Sequence, residues 1–114
     1  MNNLNNSIRL TGFLGAAPEM KTTANEKKVA RLSLATHFYR KGSQGDPVKE
    51  THWYQLVLWE KQAELAEKFL VKGSQIAIEG RLSKRDYTDS EDAKKYVTEV
   101  VVNELMMLGK SQEN

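Results

Sequence analysis

Residues 51–80 read THWYQLVLWEKQAELAEKFLVKGSQIAIEG, and the change of hydrophobic period along them, from alternation to helical spacing and back, decides the fold. In the first part Tyr54, Leu56 and Leu58 point one way, while Trp53, Gln55, Val57 and Trp59 point the other. A half-buried strand puts its polar residues outside, yet here the second face carries both tryptophans of the chain. Either the strand is covered on both sides, or one face is a platform for something flat and aromatic. Next, Ala63, Ala66, Phe69 and Leu70 recur at helical spacing with Leu65 beside them, which predicts a helix over residues 61–72. Glu64 and Lys68 form a favourable i,i+4 pair, and Lys68 and Lys72 suit the negative end of the dipole. Gly73 stands where a left-handed C-terminal cap is expected. From Gln75 to Tyr87 alternation returns, with Ile76, Ile78, Gly80 and Leu82 inward and Arg81, Ser83, Arg85 and Tyr87 outward.

Working outward, residues 7–14 alternate as a first strand, with Gly12 and Gly15 signalling a bulge or tight bend. Pro18 breaks it, a short extended piece follows at residues 19–22, and residues 25–27 make a turn. Residues 29–39 form the second strand, with Ala30, Leu32, Leu34 and Thr36 inward. Residues 41–48, holding Gly42, Gly45 and Pro47, form a polar hairpin loop back to the tryptophan-bearing strand. On the far side, residues 88–95 are a charged loop and residues 96–103 a valine-rich strand, both of whose faces ask for cover. The Asn-rich start, residues 1–6, is expected to fray. Five strands with a helix between the third and fourth give an all-β class, a five-stranded OB-fold Greek-key barrel with one α-helix. Residues 1–109 make one domain and residues 110–114 a short polar tail.

Composition narrows the function. The chain has 114 residues, 39% hydrophobic and 28% charged, a size and balance that suit one globular domain. No apolar run is long enough to span a membrane, and MNNLNNSIRL lacks the order of a signal peptide. Cytoplasmic residence without membrane association is the expectation. The absence of Cys excludes disulfides and thiolate metal sites. His37 and His52 have no carboxylate at ligand spacing, so neither metal nor cofactor is expected. No nucleophile–base arrangement and no phosphate-cradling glycine loop is present, so no catalytic residue is assigned. Asp89, Glu91 and Asp92 read as a solvated loop.

With a net charge of only +2, the electrostatic case must come from where charges lie. The outward sets combine Arg31, His37 and Tyr39 with Trp53, Val57 and Trp59, and with Arg81, Arg85 and Tyr87. Single-stranded nucleic acid asks for this mixture, since bases stack on aromatics while cations follow phosphates. Any one of these aromatics could be ordinary packing; several sharing faces with cations favour a binding platform. Tyr96 and Phe69 read as structural.

Several segments then resemble one family in order: IRLTGFLGAAPEMK, VARLSLAT, KETHWYQLVLW, AELAEKFLVKGSQIAIEGRL and YVTEVVVNELMMLG. They are similar to the bacterial single-stranded DNA-binding proteins (SSB) from about Ser7 to Gly109. The resemblance implies largely sequence-independent, non-catalytic binding of single-stranded DNA, protecting it in replication, repair or recombination in the cytoplasm, in association with the nucleoid. It implies base stacking at Tyr39, Trp53, Trp59 and Tyr87, and phosphate contacts at or near Lys21, Lys61, Lys72 and Arg85, to which the outward pattern adds Arg31 and Arg81. It implies a homotetramer, with a homodimer as the alternative, and subunit contacts on the first and last strands. Trp59 stands where the family commonly has Phe, and Tyr39 and Tyr87 where Trp is common. Gln55 and Asp86, with Ser7, replace basic residues, so a shallower salt dependence is expected. Ala77 replaces a bulkier residue, so subunit packing is expected to differ. The sequence ends at GKSQEN, without the flexible linker and acidic tip through which such proteins recruit replication and repair partners, so either an accessory, plasmid, phage or specialised member of the family or recruitment by another surface is expected. Two other readings remain beside this one, a protein-interaction module on the same fold and, less favoured, a nuclease.

Overall fold

The structure, a computed structural model, describes residues 4–110. Six strands and one helix follow in order: β1 (Ile8–Leu14), β2 (Glu19–Thr22), β3 (Lys28–Lys41), β4 (Pro47–Trp59), α1 (Lys61–Phe69), β5 (Ser74–Thr88) and β6 (Lys94–Lys110). The expected barrel forms from β1, β3, β4, β5 and β6, and the short piece β2 is a further strand on the edge of β3. The strand order is β1-β5-β6-β4-β3-β2, closed by a β1–β3 pairing. All pairings are antiparallel except β4 with β6, which run parallel at Leu56↔Val100 and Val57↔Val101.

The core draws on the inward sets that alternation predicts, except Leu82, which is exposed, and on one face of the valine-rich last strand. Ala30, Leu32 and Leu34 of β3, Leu56 and Leu58 of β4, Ile76 and Ile78 of β5, and Val100 and Val102 of β6 are buried together. Helix α1 covers one end of the barrel with Ala63 and Ala66. Small residues at these positions let the helix lie close to the sheet, and Lys28 Nζ to Glu67 Oε1 at 2.7 Å ties its outer side to β3. That contact raises the Lys28 pKa, against the opposing effect of burial.

Some local expectations are corrected. The helix ends at Phe69 rather than at Lys72, because Leu70 turns extended (φ −100°, ψ 141°) and enters the core. Phe69, read as a packing residue, is therefore exposed. Gly73 has a positive φ of 90°, but it serves the turn in which Ser74 N–H reaches Val71 O at 3.0 Å, not a helix cap. Asn6, expected to fray, holds both backbone groups of Leu82: its Nδ2 donates to Leu82 O at 2.9 Å and its Oδ1 accepts from Leu82 N at 2.8 Å. Strand β6 continues through Gly109 into Lys110, so it takes in the first residue assigned to the polar tail; residues 1–3 and 111–114 lie outside the described residues. Tyr96 is exposed, with Lys84 Nζ 5.4 Å from its ring centroid.

Candidate nucleic-acid interface

Register carries the outward face continuously across four strands. Val29 opposes Trp59, Arg31 opposes Val57, Ala35 opposes Trp53 and Tyr39 opposes Lys49. Arg81 opposes Val101, Arg85 opposes Val97 and Tyr87 opposes Lys95. Directly paired residues share a face, and the parallel Val57↔Val101 pair joins the β3–β4 half to the β5–β6 half. The aromatics Tyr39, Trp53, Trp59 and Tyr87 thus lie on one side of the sheet, 71%, 58%, 41% and 45% exposed. Lys21 joins them from β2, opposite Val29 and so in the row that ends at Trp59.

The long hairpin explains how the face is extended. β3 and β4 pair without interruption from Val29↔Trp59 to Lys41↔Pro47, well past the barrel wall. The connection is short, with Gly42 N–H donating to Asp46 O at 2.7 Å and Gly45 at φ 89° completing the turn. Tyr39 stands on this ribbon, and His37 Nδ1 lies 3.1 Å from Thr51 Oγ1. Lys49 shares the face of Tyr39 and Trp53. Treating residues 41–48 as loop and starting the strand at Thr51 leaves Lys49 out of the pattern, although its odd parity with Trp53 is the signal that assigns it.

Trp53 is held by its neighbours. A Cβ placed on Gly15 would fall 2.5 Å and 2.6 Å from Cζ3 and Cη2 of its ring. The indole lies against the bare backbone of Gly15, whose N–H is fixed to Ser33 O at 3.0 Å. One side is braced while much of the ring remains open. Trp59 borders a recess of about 440 Å³ shared with Thr23, Asn25, Lys27 and Glu60. Glu60 takes φ 50°, and its N–H donates to Lys28 O at 2.8 Å, so the chain turns sharply from β4 into α1 immediately after the indole.

The predicted cations divide into three groups. Lys21 and Arg81 are exposed on the face and make no ion pair among the described residues. Lys61 opens α1 and Lys72 lies in the turn after it, so both sit off the aromatic sheet face. Arg31 and Arg85 are engaged: Arg31 Nη1 donates to Glu99 Oε2, and Arg85 Nη2 lies 3.4 Å from the same oxygen. Glu99 is 7% exposed. Burial pushes its carboxyl upward, but the hydrogen bonds and charges of Arg31 and Arg85 outweigh that and hold it below the usual carboxylate range. Its place in the valine run of β6 gave no sign of this role, since its partners are 68 and 14 positions away.

No group of three or more His, Asp or Glu side chains among the described residues could hold a metal ion. Among these residues, too, no helix is long and apolar enough to cross a membrane.

Known proteins are similar to this chain along most of its length. The model of the Single-strand binding protein family matches residues 5–108. Single-stranded DNA-binding protein 1 of Chlorobaculum tepidum is 40% identical over 105 residues, covering 91% of this chain and 65% of that protein. Single-stranded DNA-binding protein 1 of Xylella fastidiosa is 37% identical over 110 residues, covering 96% of this chain and 81% of that protein. Among solved structures, a Plasmodium falciparum SSB complex with ssDNA superposes with a TM-score of 0.80 at 30% identity, covering 95% of this chain and 99% of that one.

Proposed function

The chain belongs to the single-strand binding protein family, and on that premise we propose that it binds single-stranded DNA by stacking bases on Tyr39, Trp53, Trp59 and Tyr87. The observation that carries the reading is the placement of these half-open rings on one register-continuous face. Each stacked base contributes about 1–3 kcal/mol, and every base has a π-face, so the binding is largely independent of sequence. Lys21, Arg81 and Lys49 draw the phosphates across the sheet. Arg31 and Arg85 do so from beside Glu99, while Lys61 and Lys72, at opposite ends of the helix, extend the path along it. The role is to cover exposed strand in replication, repair or recombination, without turnover.

The reading is tested by tryptophan fluorescence during titration with oligo-dT. Both tryptophans of the chain lie on the face, so saturable quenching is expected. Trp53→Ala and Trp59→Ala should each weaken binding by roughly ten-fold, the equivalent of one lost stack, with folding retained. Unchanged affinity in both variants would make these rings packing residues and favour an interaction module instead.

Self-association belongs to the same reading, as a homotetramer or homodimer. The surface that supports it lies where β1, β5 and β6 run side by side, away from the aromatic hairpin. There Ala77 and Met106 line a groove of about 300 Å³ rimmed by Arg9, Glu79 and Glu104.

A further inference from the structure

Two of the arginines assigned to phosphate already share a carboxylate. Both reach Glu99 Oε2 on β6: Arg31 comes from β3, across the buried Val57 of the intervening β4, and Arg85 from the adjacent strand β5. The Glu99 side chain is 9% exposed, against 34% for Arg31 and 52% for Arg85. The carboxylate therefore lies beneath the arginines and the guanidinium groups above it, toward solvent. A guanidinium carries five N–H donors in a planar fork, so contact with one oxygen leaves each arginine with donors for a second anion. A phosphate arriving from solvent would meet those donors with a negative charge already behind them.

We propose that Glu99 acts as an internal phosphate surrogate: it gathers Arg31 and Arg85 on the binding face and reduces the positive charge they present to DNA, setting the affinity of this patch below what its arginines alone would give. The inference rests on the single-stranded DNA reading and concerns its regulation. Two guanidinium charges and one carboxylate leave a single net positive charge where a strand crosses the centre of the sheet. Arg81, one row away opposite Val101, carries no such counter-charge among the described residues. Attraction at the patch is thus weakened, while the arginines keep the orientation that an unpaired long side chain would lose.

The test is Glu99→Gln, which removes the charge and keeps an oxygen able to accept from either arginine. Titrated with oligo-dT at low salt, the variant should bind about 3- to 10-fold tighter than the wild type. Its slope of log affinity against log salt should steepen by up to about 0.7, the increment for one more neutralised phosphate on a single strand. The gain should vanish when Arg31→Ala and Arg85→Ala are added to Glu99→Gln. Equal or weaker affinity in a folded Glu99→Gln protein would overturn the proposal and make Glu99 a structural tie or a positioning residue, leaving the DNA reading intact. Failure of the wild type to bind oligo-dT would overturn both. Should Glu99→Gln fail to fold, the wild type still decides: the carboxyl carbon resonance of Glu99 should move on saturation with oligo-dT, as phosphate competes for its arginines. A resonance unchanged by bound DNA would overturn the surrogate role.

Discussion

Trp53 shows what a single position can reveal in sequence and what it cannot. Its alternation with Tyr54 places the indole outside, and that reading needs only a period of two. Its brace could not be read, because Gly15 lies far away in the chain and looks only like a turn glycine. For the proposed stacking the contact matters, because a ring braced along one edge loses less freedom when a base stacks on its face. Gly15→Val should therefore displace the indole, since the new Cβ would fall 2.5 Å from the ring. Expected outcomes are a loss of up to about ten-fold in oligo-dT affinity, within the worth of one stacked base, and a smaller quenching amplitude. The melting temperature should change little, because a half-exposed ring can swing into solvent. Unaltered quenching and affinity would mean that the pose of the ring is immaterial. Glu99 is the converse case. A lone carboxylate among valines reads as a surface residue, and only the fold brings Arg31 and Arg85 to it.

Among the strands and the helix, those with a strong period were readable and their ends were not. Parity predicted the inward sets of β3 and β4, and of β5 as far as Gly80, because one face of each strand is buried against a single core; Leu82, expected inward, is exposed. The helix was placed correctly, but its last turn was lost to tertiary packing. Leu70 gains more by leaving the helix for the core, and Ser74 Oγ accepts the Val71 N–H at 2.9 Å, rewarding the departure. Barrel closure depends on a feature that sequence signals only vaguely, the missing Cβ of two glycines. At Gly12, where β1 passes from β5 to β3, a Cβ would fall 2.1 Å from Ala35 O. At Gly80, beside the register shift between β5 and β6, it would fall 2.2 Å from Val101 O. Backbone atoms cannot rotate away as side chains do, so Gly12→Ala and Gly80→Ala should each destabilise the fold by about 2–3 kcal/mol, the upper end of overpacking costs. For a domain of this size that lowers the melting temperature by roughly 10–20 °C. Thermal denaturation followed by circular dichroism checks it, and a melt close to that of the wild type would mean that the strands slide apart at little cost.

For the protein as a body, two parts of the barrel surface differ in character. The β3–β4 ribbon and the outward row carry half-open aromatics with cations among them. The β1–β5–β6 surface carries an apolar groove with charge of both signs on its rim. Met106, paired with Ala77 on this surface, is exposed, an apolar side chain of the kind that marks an interaction surface. A two-fold contact sets a patch against its own copy, so it must be self-complementary. Arg9, Glu79 and Glu104 form one cross-strand row beside the row of Ala77 and Met106, with Arg9 at its β1 end and Glu104 at its β6 end, so a rotated copy can set Arg9 against a carboxylate. Arg9 makes no ion pair among the described residues within its own chain, which leaves its charge for such a partner. Sedimentation equilibrium should therefore give the wild type a mass that is a multiple of the 13.0 kDa chain, four-fold for the tetramer or two-fold for the dimer. Met106→Asp should shift the distribution to smaller species, since a carboxylate in the middle of the contact would be desolvated with no cation assigned to it. Met106 is exposed in the single chain, so the substitution should leave the melting temperature of a dissociated subunit near that of the wild type. It lies on a different surface from Trp53 and Trp59, so quenching by a short oligo-dT should persist. A wild-type mass of one chain throughout the micromolar range would refute self-association, and an undiminished mass for Met106→Asp would move the contact to another face. Loss of short-oligomer binding together with dissociation would carry a different consequence: the strand is then gripped by faces from more than one subunit, and assembly belongs to the binding site itself.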